Sequence, residues 1–430
     1  MEGITVEAAR SKLLDLVAQL PPRETENIPL EDALGRVLST ELTAKTSIPP
    51  FRKAPYDGYA IVHSEGQSQF TVIATIGAGE KYEGKVLQGE AVRIMTGAPV
   101  PDDCDTIVMQ ERCRLCSDDG IPLQHSQVRD VMEPMGYDIL VNGIIEKGEN
   151  IIPEGEECAE GDILMDGGVL LDAGRVSVAA GLGHRQLPVY KEPKVVVLTS
   201  GREVVPLSET LQGAQIYNSN LYMLEGLLKE QGVTGFKAHH VSDDPDKLDE
   251  EIETVRQLAA DADLIISTGG VSVGLFDSMP AIYEALGAEK LYDRIFMRPG
   301  AASYGGVIRR ENGGLTFCLG LSGNPTAAYN CYHLLVLPVL RSLQGRRDIM
   351  LPVVMLKLGS GIHKKNPFDR YVQGAITCES GEAVFMPNRV FTSSALLGLA
   401  HANGMAKLEQ GQHNYEEGDL VAVSLLKAHE

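Results

Sequence analysis

The chain has 430 residues, with 38 Lys and Arg against 59 Asp and Glu, for a formal net charge of −21. Hydrophobic residues make up 43% and charged residues 23%, an ordinary globular composition long enough for about three domains. The acidic balance argues against nucleic-acid or anionic-membrane partners, no apolar run approaches the roughly 18 residues of a membrane span, and the first residues lack the basic and apolar regions of a signal peptide. A cytoplasmic protein is expected.

An anionic substrate would have to be held against this global field by local features: backbone N–H nests, a few Lys or Arg, or a divalent metal on carboxylates. The seven cysteines are odd in number and scattered, which suits free thiols in a reducing compartment. Cys113 and Cys116 form one CxxC. No second pair follows at zinc spacing, so a surface loop is expected there rather than a metal site.

In chain order, Thr5 to Leu20 reads as an amphipathic helix stopped by Pro21-Pro22, and Leu30 to Leu42 as a second helical stretch. From Ile48 to Lys147 short strand-like runs alternate with Gly, Pro and Asp turns, among them 59–62, 70–73 and 105–109. A compact β-rich module is expected. A short helix follows at 172–180. From Pro193 apolar strands alternate with helices: strands at 195–198, 264–267 and 315–319, and helices at 218–231, 277–286 and 325–343. That rhythm predicts a parallel or mostly parallel α/β sheet covered on both faces. After Met350 the runs at 353–358, 370–378, 383–387, 406–409 and 420–425 predict a small antiparallel barrel or sandwich.

The most informative segment is Ser267-Thr268-Gly269-Gly270-Val271-Ser272-Val273-Gly274-Leu275-Phe276-Asp277. It follows a buried strand and opens a helix. Its glycines bring backbone N–H groups against a ligand, and the helix start adds partial positive charge. Asp277 either caps the helix or binds a magnesium ion shared with a phosphate. Two further strand ends have the same design: Ser322-Gly323-Asn324-Pro325, with Asn324 suited to the N-cap and Pro325 to the first helical position, and Thr199-Ser200-Gly201-Arg202-Glu203. All three would lie at the carboxyl edge of the sheet, where open α/β folds bind ligands. Asp57 precedes Gly58, as in a plain hairpin turn. Thr96, in Met95-Thr96-Gly97-Ala98-Pro99, either donates to a phosphate or closes a turn. Asp243 and Asp244 follow another strand end. No Ser-His-Asp signature, Walker loop or HExxH is present.

Taken in order, these motifs resemble the MoeA family of molybdopterin molybdotransferases, which includes the gephyrin E domain. The matching stretches are 32–38, 50–60, 93–101, 148–162, 199–204, 269–277, 297–300 and 320–325. The resemblance implies a multidomain subunit: a split, elongated domain I at 1–47 and 148–184, an inserted β-rich domain II at 48–147, a MogA-like α/β domain III at 185–347 with a parallel or mixed sheet, and a β-barrel-like domain IV at 348–430. It implies a Mg²⁺-dependent transfer of molybdate to adenylylated molybdopterin with release of AMP, by a homodimer served by a MogA-type adenylyltransferase and, downstream, molybdoenzyme maturation factors. It places Asp57, Thr96, Glu203, Asp243 and Asp277 in catalysis, with Asp57, Glu203 and Asp277 as metal ligands. Gly269, Gly270, Ser272, Gly274, Arg298, Pro299, Gly300, Gly323, Asn324 and Pro325 would hold the cofactor substrate. The chain departs from the family at Arg298, Ala301, Ala302 and Ala327, which raises an alternative: a pterin- or nucleotide-binding scaffold without transferase activity.

Overall fold

The computed structural model describes residues 3–117, 121–123, 137–270, 278–379, 381–390, 392–412 and 414–426. The chain separates into two compact units, a larger one of residues 1–40, 167–174 and 186–430 and a smaller one of 41–166 and 175–185.

The larger unit is built on a six-stranded sheet in the order Lys237–Val241, Val195–Ser200, Leu264–Thr268, Leu315–Leu321, Tyr304–Arg309, Glu289–Tyr292. The first four strands are parallel, Tyr304–Arg309 runs antiparallel to them, and Glu289–Tyr292 is antiparallel to Tyr304–Arg309 in turn. The sheet is therefore mixed, with its centre as read from the apolar runs. Val195–Ser200, Leu264–Thr268 and Leu315–Leu321 are buried along their whole length. Val195, Val197, Leu264, Ile266, Phe317 and Leu319 enter one core with Leu224 and Leu228. The alternate residues Val196, Leu198, Ile265 and Cys318 enter a second core with Val255, Ile282 and Tyr283. This two-sided burial explains why the strands are uninterrupted apolar runs rather than alternating ones.

The helix Ser219–Glu230 begins at Asn218, whose side chain accepts from the N–H of Leu221. The N-terminal helix runs Val6–Val17, capped by Thr5. The helical run from Pro325 to Leu343 contains a π turn at Tyr332–Val336. That widening precedes Pro338, which has no N–H for the α ladder. Asn324 occupies the N-cap position but makes no side-chain cap hydrogen bond.

Three expectations need correction. Leu30–Leu42 is not a helix: only Leu30–Asp32 forms a 3₁₀ turn, Gly35 adopts φ +79°, and Val37 and Leu38 make bridges to Leu170 and Val189. A left-handed glycine ends the helical turn before it propagates. The CxxC is not a surface loop. It lies in the strand Cys113–Ser117, where residues three apart face opposite sides and do not converge on a metal. Finally, Asp57-Gly58 is no hairpin turn, because Gly58 opens a strand, Gly58–Ile61, paired on both sides.

The C-terminal segment is a closed five-stranded barrel. Asp369–Glu379 pairs with Glu382–Pro387, then Val353–Leu358, Leu420–Leu425 and Gly404–Leu408 follow, and the last pairs back with the first. One pair, Val353–Leu358 with Glu382–Pro387, is parallel. Closure removes exposed sheet edges.

The smaller unit holds a seven-stranded sheet ordered Thr106–Met109, Gly58–Ile61, Glu90–Ile94, Gln69–Ile76, Tyr137–Val141, Cys113–Ser117, Pro122–Leu123. It is the β-rich module expected from the sequence. Tyr59, Ile61, Phe70 and Val108 fill one core, and Ala60, Ile94 and Ile107 another. The short helix expected after it spans Ala173–Gly181.

Candidate functional site

The four parallel strands end together. Thr199 is in register with Thr268, Thr268 with Leu321, and Ser200 with Val241. Their carboxyl ends therefore project the loops 201–203, 242–244, 269–270 and 322–324 into one region. Tyr304–Arg309 runs the other way, so the residues preceding it reach the same edge. These segments line a cavity of about 900 Å³, with Thr199, Glu203, Asn218, Asn220, Asp243, Gly269, Gly270, Ala302, Gly323 and Asn324 among its walls. A second cavity of about 510 Å³ is lined by Gly201, Arg202, Val204, His240, Ser242, Asp243 and Asp244. It shares Gly201, Arg202, Val204 and Asp243 with the first.

Of the expected site residues, Glu203, Asp243, Gly269, Gly270, Gly323, Asn324 and Pro325 all line the main cavity. The sequence from 271 to 277, with Ser272, Gly274 and Asp277, lies outside the described residues. Arg298, Pro299 and Gly300 are not among the cavity's lining residues. Met297–Arg298 pairs with Asp369–Arg370, and a Cβ on Gly300 would stand 2.6 Å from the Cys331 Sγ, so tight packing accounts for glycine there.

The glycine pair is required by the backbone. Gly269 and Gly270 have φ of +84° and +57°, and a Cβ would stand 2.3 Å from the Ser200 carbonyl oxygen or 2.5 Å from its Oγ, respectively. Both conditions exclude a side chain. The floor beside them is polar and buried. Asn220 Nδ2 donates to Thr268 Oγ1 (2.9 Å) and to the Gly323 carbonyl (2.8 Å), and Thr268 Oγ1 donates to the Ser322 carbonyl (3.1 Å). Asn218 Nδ2 donates to Thr199 Oγ1 (2.9 Å), which lies 3.0 Å from His240 Nδ1. Ser200 Oγ and Asn220 Oδ1 are buried without a hydrogen-bond partner among the described residues. A buried polar atom left unpaired costs about 1–3 kcal/mol, so this floor is built for a polar occupant. Sequence reasoning missed Asn218 and Asn220. Their signal was present: Asn-Ser-Asn opens a helix just after a strand-like pair.

Charge at the cavity is mixed. The Arg202 guanidinium donates through Nε (3.2 Å) and Nη2 (2.7 Å) to the Asp243 carbonyl, which fixes a cation at the rim. Asp243 Oδ1 accepts from Ser278 Oγ (2.8 Å). Burial holds the His240 imidazole below its ordinary range, against the opposing pull of Asp243, so the ring is neutral near pH 7. Among the described residues no group of three or more His, Cys, Asp or Glu is arranged to hold a metal ion.

In the smaller unit, Asp57 and Thr96 meet. Asp57 Oδ1 accepts from both the backbone N–H and the Oγ1 hydroxyl of Thr96, each at 2.7 Å. These two donors, with Arg93 adding to them, hold the Asp57 carboxyl below the ordinary range. A Cβ on Gly58 would stand 2.3 Å from the Val108 carbonyl oxygen, which explains the glycine that follows.

Three family models match successive parts of the chain: the MoeA N-terminal region (domain I and II) over residues 4–183, a probable molybdopterin binding domain over 196–342, and the MoeA C-terminal region (domain IV) over 355–426. Curated relatives match the chain from end to end. The molybdopterin molybdenumtransferase of Staphylococcus aureus strain MSSA476 is 31% identical over 432 residues, 99% of this chain and 96% of the relative. The chain belongs to the MoeA family. A protein of the same name from Staphylococcus epidermidis (strain ATCC 12228) is 32% identical over 411 residues, 94% of this chain and 91% of the relative. The crystal structure of the molybdopterin biosynthesis MoeA protein from Pyrococcus horikoshii shares the fold, with a TM-score of 0.75 at 23% identity over 99% of this chain and all of that one. The probable molybdopterin binding domain follows the N-terminal region in this chain. Here it carries the glycine pair, Asn220 and Asn324 on one cavity wall.

Proposed function

We propose that this MoeA-family chain is a molybdopterin molybdenumtransferase of molybdenum cofactor biosynthesis. It takes adenylylated molybdopterin and molybdate and releases AMP. The observation that carries the reading is the convergence of four parallel strand ends on one cavity whose walls combine a left-handed glycine pair, buried amides and a fixed arginine. Relatives named molybdopterin molybdenumtransferase that match the chain from end to end favour a working transferase over the scaffold alternative.

The residues divide the work as follows. Gly269 and Gly270 let backbone and phosphate approach closely. Arg202 supplies the positive charge that an anionic substrate needs near an acidic protein. Release of AMP breaks the phosphoanhydride P–O bond while an oxygen of water or of the molybdate substrate forms a new P–O bond at the attacked phosphorus, and the electron pair leaves with the departing phosphate. The cavity's task is to hold the reacting phosphates in line and to stabilise the charge that gathers on them. Asp57, held ionised by Thr96, and Asp277 complete the proposed catalytic set.

Magnesium belongs to the proposal in a limited form. Glu203 and Asp243 are the carboxylates among the cavity's lining residues. One or two carboxylates plus substrate phosphates are a usual setting for Mg²⁺, so the ion would arrive with the substrate rather than reside in the free protein, and no step here runs through it. The proposal further includes the four-domain division given by the resemblance, a homodimer, a MogA-type adenylyltransferase as supplier, and a cytoplasmic setting, in keeping with seven free cysteines. Rescue of molybdoenzyme activity in a strain lacking its own molybdenumtransferase tests the reading. Restored activity supports it, and none from a well-expressed chain overturns it.

A further inference from the structure

Beneath the main cavity the hydrogen-bond directions are determined by their fixed ends. Asn218 Oδ1 accepts from the N–H of Leu221 (3.1 Å), a pure donor, so its amide is oriented and Nδ2 is the group that reaches Thr199 Oγ1. Thr199 is 2% exposed. Its hydroxyl proton has one acceptor among its described hydrogen bonds, His240 Nδ1. A buried proton aimed elsewhere would be unpaired. Thr199 therefore donates to His240, and the ring proton sits on Nε2. With its proton drawn to His240 and one lone pair taken by Asn218, Thr199 Oγ1 keeps an acceptor lone pair.

Asn220 repeats the pattern. Its Nδ2 is fixed by the Gly323 carbonyl, a pure acceptor, so the atom without a partner among the described residues is Oδ1, an acceptor on a residue 8% exposed. Two neighbouring floor residues of the cavity thus offer acceptors and no donor.

We propose that Thr199 and Asn220 form a subsite that reads N–H or O–H donors of the bound substrate, and that His240 is the positioning residue that sets its polarity. Phosphate oxygens, which are acceptors, find no donor on Thr199 or Asn220 and are left to the glycine pair and to the Ser200 hydroxyl beside it, which has no partner among the described residues. The donors are those of a heterocycle or sugar rather than of the phosphates. The inference rests on the molybdenumtransferase reading and deepens it.

Two measurements test it. Nitrogen-15 shifts of the His240 ring in the free protein report the tautomer without any substrate, and Nε2–H is expected. The Nδ1–H form would overturn the proposal. Steady-state kinetics with adenylylated molybdopterin then compare His240→Gln, which lacks an acceptor at the Nδ1 position, with His240→Asn, which restores one. His240→Gln should raise KM roughly threefold to tenfold at unchanged kcat, with inhibition by inorganic phosphate unaltered, and His240→Asn should recover KM. Equal KM for wild type and His240→Gln, or a matching loss of phosphate inhibition, would overturn the subsite. Absence of turnover in wild type, beside the expected tautomer, would instead count against the molybdenumtransferase reading.

Discussion

Asp57 and Thr96, 39 residues apart, are joined twice through one oxygen: the Thr96 N–H and the Thr96 hydroxyl both reach Asp57 Oδ1 at 2.7 Å. The pair holds the carboxylate ionised and aims it. Its depressed pKa contributes stability that is present above the ordinary carboxylate range and is lost as pH falls through the lowered value. Thr96→Val removes one donor and should cost about 1–2 kcal/mol at pH 7. That difference from wild type should shrink as pH falls through the lowered value, as read by chemical denaturation followed by circular dichroism. Asp57→Ala should suppress turnover by at least tenfold while the chain stays folded. Unchanged turnover would reduce Asp57 to a local turn-holder.

The glycine pair gives a sharper contrast. Gly269→Ala forces a Cβ to within 2.3 Å of a carbonyl oxygen at φ +84°. The ligand-facing backbone must move, so AMP affinity by calorimetry should fall at least tenfold. Gly313→Ala serves as the control, because φ is +79° there but nothing lies within 4 Å of the added Cβ. It should lose about 1 kcal/mol of stability from backbone strain and keep AMP affinity.

His333 makes stability pH-dependent. It is 6% exposed, beside Tyr329 and Tyr332, and its Nδ1 donates to the Tyr329 carbonyl at 2.9 Å. Burial lowers its pKa to about 4. The unfolded state therefore binds more protons than the folded state between about pH 6.5 and pH 4. Wild-type stability should fall by roughly 2–3 kcal/mol across that window, and His333→Leu should flatten the slope there. An identical slope in the variant would remove His333 as its source.

Magnesium binding should depend on substrate. With Glu203 and Asp243 as the carboxylates among the described residues at the cavity, the free chain should bind Mg²⁺ weakly, and affinity should rise when adenylylated molybdopterin is present. Tight binding to the free chain would call for a resident site that includes residues outside those described.

Much of this was legible in the sequence, because uninterrupted apolar strands alternating with helices specify a two-sided sheet, and glycine-rich strand ends mark its ligand edge. Gly269, Gly270 and Gly323 were found that way, whereas Glu203 and Asp243 stood out only through the family resemblance. Asn218 and Asn220 were not, since an asparagine at a helix start reads first as a cap, and only the register of Thr199 with Thr268 brings their amides beneath the cavity. The stretch 30–42 failed because its apolar spacing mimics a helix, while Gly35 breaks the backbone path. The CxxC failed because strand alternation is not visible in so short a run.

Adding molybdate to the purified chain and adenylylated molybdopterin, with Mg²⁺ present, and measuring AMP tests whether the cavity supports the transfer. AMP release should be stimulated by molybdate and lost in Gly269→Ala. Release that ignores molybdate, or none at saturating substrate, would contradict the molybdenumtransferase reading.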